Sequence, residues 1–302
     1  SAVINASRAI QTGDTDVMIA GGMEHMTRGP WVISKTSKPF GNDAQMFDSS
    51  FGWRFVNPQL AQQYPPFTMG ETAENVAAKW KITREAQDVF AFGSQQKYAA
   101  AKLANKWEEE IVAVELIQKG LISWVVDDEH PRETSIEKLA ALSPAFQKDG
   151  TVTAGNSSGI NDGAAALLLA NEEMVKKYQL QPMARIVSMA VIGVDPAIMG
   201  IGPVPATQLA LKRAGLTIKD IDLFELNEAF ASQSLACIQE LALDPAKVNV
   251  NGGAIALGHP LGCSGARIST TLLYEMARQQ SKYGLATMCV GVGQGAAVIY
   301  EA

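Results

Sequence analysis

Cysteine and histidine are scarce in this sequence, with three residues of each type among 302. Cys237, Cys263 and Cys289 are odd in number and widely spaced, so they predict neither a disulfide framework nor a zinc site. We expect no bound metal. Unpaired cysteines of this kind are typical of proteins from a reducing, intracellular setting.

Positive charge is also in deficit, since the formal net charge is −6. This balance excludes the basic footprint that nucleic-acid-binding proteins show. No uninterrupted apolar run approaches the ~20 residues of a membrane span, and no signal peptide is visible. We therefore expect a cytoplasmic enzyme that binds neither nucleic acid nor membrane. The apolar content of 47% is enough for a large core in more than one average domain.

A helix followed by a strand occurs near both ends of the sequence. Apolar spacing predicts a helix over residues 1–11 and a buried strand over 17–20. The same order returns with a helix over 264–280 and a strand over 285–290. These patterns indicate a duplicated α/β unit. The second helix follows a Gly-Cys-Ser-Gly turn, whose counterpart is expected just upstream of Ser1, and the chain is expected to open inside a helix.

The middle of the sequence is organised differently. Pro, Gly, Asn and aromatic residues crowd positions 29–67, which predicts a long functional loop. Helices are predicted next over 71–80 and 84–106. Alternating elements then resume, with strands over 164–170, 184–194 and 221–226 and helices over 172–178, 205–214 and 228–241. This alternation is typical of a layered α/β fold with an inserted, loop-rich domain.

Asn227 directly follows an apolar strand, in the run Asn-Glu-Ala-Phe-Ala. One interpretation makes it an ordinary cap of the next helix. The other places its amide at the carboxyl edge of the sheet, where α/β folds bind ligands, so that it holds a water or a substrate carbonyl. The sequence favours the two interpretations equally.

His259 lies between Gly258 and Pro260 in a glycine-rich run that continues to Arg267. Glycine lets the backbone approach a ligand closely, and a histidine with a pKa near ~6.5 can exchange a proton at neutral pH. A lone histidine is more often structural, but this rigid placement favours a catalytic role. His25 and His130 are expected to be local structural or surface residues.

Cys289 ends a buried strand at the turn Gly-Val-Gly-Gln-Gly. A free buried cysteine usually packs as a small hydrophobe. The functional alternative is an acid/base thiol with a modestly shifted pKa, next to glycine amides that line an oxyanion hole. Cys237 is expected in the core, and no role is expected for Cys263.

These three segments, with their order and spacing, resemble the three carboxy-terminal signatures of the thiolase family, and the resemblance covers the whole chain. Residues 21–26 and 153–163 also resemble family segments, the latter a CoA-binding loop. The resemblance implies two similar layered α/β domains with an inserted loop domain, the first domain being incomplete at its amino end. The implied parts are 1–28 with 160–181, 29–159 and 182–302.

The resemblance also implies a CoA-dependent acyltransferase that cleaves 3-oxoacyl-CoA by a ping-pong route, or runs the reverse Claisen condensation. His259 activates the nucleophile, Asn227 positions a water, Cys289 exchanges the proton of acetyl-CoA, and the Gly291 amide serves an oxyanion hole. CoA is a substrate, and no cofactor is expected. The residues implied to contact acyl-CoA are Ser158 (pantetheine), Arg132 (nucleotide), and Ala154, Phe146, Met69, Ala229 and Phe230 (tunnel).

Residues 47–58 look most like thiolases that act on 3-oxoadipyl-CoA. Arg54, or a lysine such as Lys35 or Lys38, would receive the distal carboxylate of that substrate, while a structural salt bridge of Arg54 is an equal alternative. Thr68-Met69-Gly70 stands where many acetoacetyl-CoA thiolases have His-Met-Gly, which argues mildly against that alternative type. The family implies a homodimer or homotetramer.

The family's nucleophilic cysteine is expected upstream of Ser1, since no cysteine in the sequence matches its motif. The 302 residues alone are therefore expected to be inactive and poorly stable. Two rival functions remain. A 3-oxoacyl synthase usually carries a Cys-His-His set instead of Asn227 and Cys289. A non-catalytic CoA-binding protein has no need of an acid/base thiol beside a histidine.

Overall fold

The computed structural model describes residues 1–50 and 52–302. The first unit is helix α1 (Ala2–Thr12) followed by strand β1 (Val17–Glu24), which runs beyond the predicted strand of residues 17–20. α1 buries one apolar stripe and ends at Gly13, whose φ of 79° is the left-handed conformation that closes many helices. The helix–strand prediction for the amino end is confirmed.

The predicted loop of residues 29–67 contains short regular elements. They are the antiparallel strands β2 (Trp31–Ile33) and β3 (Met46–Asp48) and the helix α2 (Pro58–Gln63). Helices α3 (Met69–Trp80) and α4 (Arg84–Leu103) follow, so the prediction for α4 was three residues too long. Thr68 forms a capping box with Glu71, which fixes the start of α3 at Met69.

A hairpin of β4 (Val114–Gln118) and β5 (Leu121–Val125) was not predicted. Every residue of both strands is exposed, so neither face carries the apolar alternation that marks a half-buried strand. The short helix α5 (Ile136–Ala140) was also missed. Its N-cap Ser135 accepts a hydrogen bond from the Lys138 amide.

Strand β6 (Gly163–Ala170) pairs antiparallel with β1 along its whole length, from Val17 opposite Ala170 to Glu24 opposite Gly163. Helix α6 (Glu172–Lys177) comes next. The remaining chain builds a four-stranded sheet of order β7-β10-β9-β8, in which only β8 and β9 are parallel. Its strands are β7 (Arg185–Gly193), β8 (Leu223–Leu226), β9 (Tyr283–Val290) and β10 (Gln294–Glu301).

Helices cover both faces of this sheet. They are α7 (Pro203–Ala214), α8 (Ala231–Leu241) and α10 (Ser264–Gln279), while the short helix α9 (Ala254–Leu257) packs on α4. Phe224 and Leu285 pack with α7 and α8, whereas the neighbouring Leu223 and Ala286 pack with α10. Because successive side chains of a strand point to opposite faces, each strand contributes to both cores. The sequences of these strands are therefore mostly apolar on both faces.

The two ends of the chain share one arrangement, in which a helix leads into a strand that pairs with an antiparallel neighbour. α1, β1 and β6 form the first copy, and α10, β9 and β10 form the second. The predicted layered α/β fold is confirmed, while the residue boundaries of the three parts stay a prediction. Within residues 1–50 and 52–302, no helix is both long and apolar enough to span a bilayer.

Candidate active site

Asn227 and His259 meet at the end of the parallel strand pair. The last residue of β8, Leu226, lies opposite Thr287, and the Asn227 amide continues the ladder by donating to the Thr287 carbonyl (3.0 Å). Asn227 is fully buried, and its Nδ2 lies 3.2 Å from His259 Nε2. The helix-cap interpretation of Asn227 is wrong, because α8 begins at Ala231 with Phe230 as its N-cap residue.

The hydrogen bonds of the His259 ring fix its tautomer. Ser264 Oγ donates its single proton to the Pro260 carbonyl at 2.7 Å. It must therefore accept a hydrogen bond from His259 Nδ1, which lies 2.6 Å away. Nδ1 carries the proton, and Nε2 keeps the lone pair that accepts from Asn227. The ring is thus arranged as a base at Nε2.

Electrostatics favour the same neutral form. Burial, and next the charge of Arg267, lower the pKa of His259 to about 4. The expectation of a pKa near the ordinary histidine value was wrong, because the sequence does not show how deeply the ring is enclosed. At neutral pH His259 is able to take a proton from a thiol.

Cys289 lies one residue before the end of β9 and two residues after Thr287, whose carbonyl accepts the Asn227 amide. It packs with Met199 and Ala229 and with the half-buried Met69 and Phe230. Burial raises the pKa of Cys289 to about 12, the reverse of the shift toward neutrality that the sequence suggested. The thiol is therefore protonated, as a proton donor must be.

The turn after β9 borders the region around Cys289. Val292 and Gly293 both have left-handed φ values, 64° and 80°. A Cβ on Gly293 would run into Val194 and Pro196, so only glycine fits there. At Gly291 the position of a Cβ lies 3.9 Å from Met69 Sδ, and the Met69 side chain also packs on Cys289. Gly291 and Cys289 thus border one region.

The residues implied to line the acyl tunnel are brought to this region. Phe146 and Phe230 form an edge-to-face pair with ring centroids 6.0 Å apart. The Ser158 amide donates to the Ala229 carbonyl at 3.0 Å, which places the CoA-loop segment beside the residues following Asn227. Ala154 lies exposed on the same loop.

Two buried carboxylates hold the loop of residues 151–158 in place. Glu74 accepts from the amides of Thr151 and Val152, and Asp88 accepts from the side chain of Asn156. Arg84 pairs with Asp88 at 2.8 Å, so the second carboxylate is compensated.

Arg132 is linked to the site from the other side of the His259 turn. Its amide donates to Gln95 Oε1, and Gln95 Nε2 donates to the carbonyl of Ile255 (both 3.1 Å). Its guanidinium lies 3.4 Å from His130, and burial lowers the pKa of that histidine. His130 is therefore part of the local structure, as expected.

The region predicted to receive a distal carboxylate is an exposed loop. Arg54 Nη1 donates to the Gly52 carbonyl at 2.7 Å, and Lys35 and Lys38 are exposed. Trp53 Nε1 donates to the Phe67 carbonyl (2.8 Å), two residues before Met69, and ties this loop to the tunnel residues. Phe51 lies outside the described residues.

The remaining cysteines and His25 fall where the sequence suggested. Cys237 is fully buried in the core between α8 and the sheet, and Cys263 is buried before α10. His25 lies 2.8 Å from Asp162 on the surface. Within residues 1–50 and 52–302, no group of three or more His, Cys, Asp or Glu side chains could hold a metal ion.

The sequence analysis missed two residues that contact His259, which are Ser264 and Asn161. Ser264 contacts Nδ1 of His259, and Asn161 Oδ1 lies 3.3 Å from the His259 amide. Both belong to segments that resemble family motifs, but the motifs alone assign them no contact.

A buried carboxylate two residues before Asn227 gives a stability prediction. Burial raises the pKa of Glu225 to about 8, and its Oε2 has no hydrogen-bond partner in the described part of the chain. The folded protein thus keeps the Glu225 carboxyl protonated up to about pH 8, whereas the unfolded chain releases this proton above the ordinary pKa of a glutamate. Stability from this group is complete below that pKa and is lost as pH rises through about 8, at ~1.4 kcal/mol per pH unit.

Glu225→Gln should therefore match the parent in urea denaturation at pH 5 and exceed it at pH 8 by a few kcal/mol. A free-energy difference that does not change between the two pH values would contradict the assigned protonation of Glu225.

Comparisons with known proteins show the family of the chain. A family model described as "Thiolase, N-terminal domain" matches residues 1–173, and "Thiolase, C-terminal domain" matches residues 180–302. The chain is 54% identical over 300 residues to the 3-oxoadipyl-CoA/3-oxo-5,6-dehydrosuberyl-CoA thiolase of Escherichia coli K12. That match covers 98% of this chain and 75% of the relative.

Solved structures give the same result. Human mitochondrial 3-ketoacyl-CoA thiolase is 45% identical to this chain, with a TM-score of 0.93. The match covers 100% of this chain and 75% of the human chain. The structure of the human enzyme in complex with CoA is 45% identical to this chain, with a TM-score of 0.92. That match covers 100% of this chain and 74% of the human chain.

Proposed function

The chain belongs to the thiolase family, and we propose that its reaction is the CoA-dependent cleavage of 3-oxoadipyl-CoA to acetyl-CoA and succinyl-CoA. The observation that carries the proposal is the contact between Asn227 and the Nε2 lone pair of His259. Cys289 supplies a protonated thiol on β9, the strand that pairs with β8, so the chain offers the base and the acid that the two halves of a thiolytic reaction require.

In the first half-reaction, Asn227 Nδ2 releases the Nε2 lone pair of His259, which takes the proton of the nucleophilic thiol, and the thiolate attacks the 3-oxo carbon. The protonated Nε2 then donates to the oxygen of the tetrahedral intermediate. Asn227 Oδ1 is a buried acceptor without a partner among the described residues, which suits the water that this residue is proposed to hold. The cysteine that carries the nucleophilic thiol stays a prediction, for a position upstream of Ser1.

Cleavage of the carbon–carbon bond leaves its electron pair on the α-carbon of acetyl-CoA, and Cys289 gives that carbon its proton. In the second half-reaction the CoA thiol returns a proton to Cys289, and the CoA sulfur attacks the acyl-enzyme. The acyl group leaves as acyl-CoA, and the nucleophilic thiol recovers the proton held by His259. We propose that the Gly291 amide stabilises the oxygen of the acetyl-CoA enolate.

Binding of acyl-CoA is proposed for the residues that surround Cys289 and the loop of residues 151–158. Ser158 would meet the pantetheine arm and Arg132 the nucleotide end. The residues proposed for the tunnel are Ala154, Phe146, Met69, Ala229 and Phe230. The packing of Met69 and Phe230 in the cluster of Cys289, and the pairing of Phe146 with Phe230, support this assignment.

A matched pair of substrates tests the proposed specificity. 3-Oxoadipyl-CoA and 3-oxohexanoyl-CoA have acyl groups of equal length, and only the first has a distal carboxylate. If Arg54 receives that carboxylate, kcat/KM should favour 3-oxoadipyl-CoA by about tenfold or more, since a hydrogen bond to a charged group contributes about 1.5–3 kcal/mol. Arg54→Gln should remove that preference, and Lys38→Gln should retain it.

The possible outcomes test the substrate preference separately from the thiolase reaction. Equal kcat/KM for the two compounds would refute the dicarboxylyl preference and leave the thiolase reaction intact. Highest turnover of acetoacetyl-CoA would support the alternative acetyl-CoA C-acetyltransferase type.

We also propose a homodimer or homotetramer. The two hairpins expose large apolar side chains, among them Trp31, Ile33, Ile117 and Leu121, and surfaces of this kind mark interfaces. A monomeric mass in light scattering would contradict this. A cytoplasmic location stays a prediction.

A further inference from the structure

Asn161 lies just before β6, in the half of the fold opposite to the His259 turn, yet it contacts that turn directly. Asn161 Oδ1 accepts the backbone N–H of His259 at 3.3 Å, across 98 residues of sequence. With the Ser264 contact at Nδ1, His259 is held at two points, one on its backbone and one on its ring. Two fixed points define the direction in which Nε2 faces.

Two glycines make room for the Asn161 side chain. Gly258 has a φ of +94°, and a Cβ at this position would fall on the amide group of Asn161. A Cβ at Gly159 would lie 2.7 Å from Asn161 Oδ1 and would also meet His130. The side chain therefore occupies a space that the backbone on both sides leaves open.

A second contact supports the same turn. Glu24, at the end of β1, accepts the Gly262 amide at 3.0 Å. Glu24 lies opposite Gly163 in the β1–β6 pair, so both contacts come from one end of one strand pair. Within residues 1–50 and 52–302, the neighbouring Asp162 makes no hydrogen bond to the turn; its carboxylate instead accepts from the Thr27 amide and hydroxyl.

We propose that Asn161 is a positioning residue of the reaction, which orients the His259 base through its backbone. This inference rests on the proposed function of His259. Loss of the acceptor would free the Gly258–His259 peptide to rotate, and Nε2 would move away from the reacting thiol. Small displacements of a catalytic group lower the rate of chemistry more than they lower binding.

The charged groups near the turn decide how a new charge at residue 161 would act. They are Arg267 on α10, Glu24 at the end of β1, Asp162 next to Asn161, and His130 and Arg132 on the segment facing Gly159. Arg267 opposes protonation of His259. A carboxylate at residue 161 would favour protonation.

The experiment compares Asn161→Leu and Asn161→Asp in the enzyme expressed from its complete reading frame. Asn161→Leu keeps the volume and loses the acceptor, so kcat should fall about tenfold or more while KM for CoA changes less than about threefold. Asn161→Asp keeps the acceptor. It should recover most of kcat at pH 8, and the acidic limb of its kcat/KM profile should shift to higher pH.

Asp162→Asn serves as the control, because it loosens the same strand end without contacting His259. It should lower the melting temperature and leave the pH profile unchanged. The proposal is overturned if Asn161→Leu retains kcat within twofold, or if Asn161→Asp leaves the acidic limb in place. Since the parent enzyme is assayed in parallel, its inactivity on 3-oxoacyl-CoA would refute the proposed function instead.

Discussion

Replacing His259 by alanine is expected to lower kcat/KM for thiolysis by about 10²–10⁴-fold, the range that general acid–base catalysis contributes. Nε2, which contacts Asn227, is the proposed base, and its loss would leave the nucleophile protonated at neutral pH. Intact-mass measurement after brief mixing with 3-oxoacyl-CoA should show acyl-enzyme in the parent and little in the variant. His25→Gln, on the surface beside Asp162, should keep activity within about twofold.

The pH dependence offers a second measurement of the same base. With a His259 pKa of about 4, kcat/KM should stay level on acidification from neutral pH and fall only as pH approaches that value. Folding stability also falls on acidification. The unfolded chain binds the proton first, so stability is lost between the ordinary histidine pKa and about 4. An activity midpoint near pH 6.5 would contradict the assigned enclosure of the ring.

Cys289→Ala is expected to separate the two chemistries of the enzyme. Cleavage of the carbon–carbon bond should fall about 10²–10⁴-fold, because the acetyl-CoA carbanion loses its proton donor. Acyl exchange between a simple acyl-CoA and labelled CoA breaks no carbon–carbon bond and should persist, because no carbanion forms and His259 can carry the proton of the CoA thiol when Cys289 is absent. Hydrogen–deuterium exchange at the methyl group of acetyl-CoA should disappear with cleavage.

Cys263→Ala is the matched control, since it removes a buried thiol that lies outside the cluster of Cys289, Met199 and Ala229. It should retain cleavage within about threefold. Equal loss of cleavage and acyl exchange in Cys289→Ala would show that the residue supports the fold or the nucleophile and not the carbanion.

The sequence predicted this fold where burial leaves a periodic trace. α3 and α10 carry an apolar stripe, and β8 and β9 are mostly apolar because both of their faces are covered, with Glu225 as the charged exception. The hairpin of β4 and β5 left no such trace, since it is exposed on both faces. β10 was also not predicted.

The start of α8 shows why local rules failed at the site. Asn227 has the residue type of a helix cap, yet residues 227–230 stay non-helical. Glu228 is buried and accepts from Ser94, Asn249 and the Ile255 amide, which fixes this segment to three distant parts of the chain. These long-range hydrogen bonds outweigh the local preference for a cap.

The sequence by itself determined the layered α/β fold, the glycine turns and, by resemblance, the identities of Asn227, His259 and Cys289. Only the tertiary structure decided how they function: the tautomer of His259 through Ser264, its anchoring by Asn161, and the opposite pKa shifts of histidine and thiol. The reason is physical. Residue type and spacing depend on local chain geometry, whereas protonation depends on burial and on partners that folding brings from remote positions.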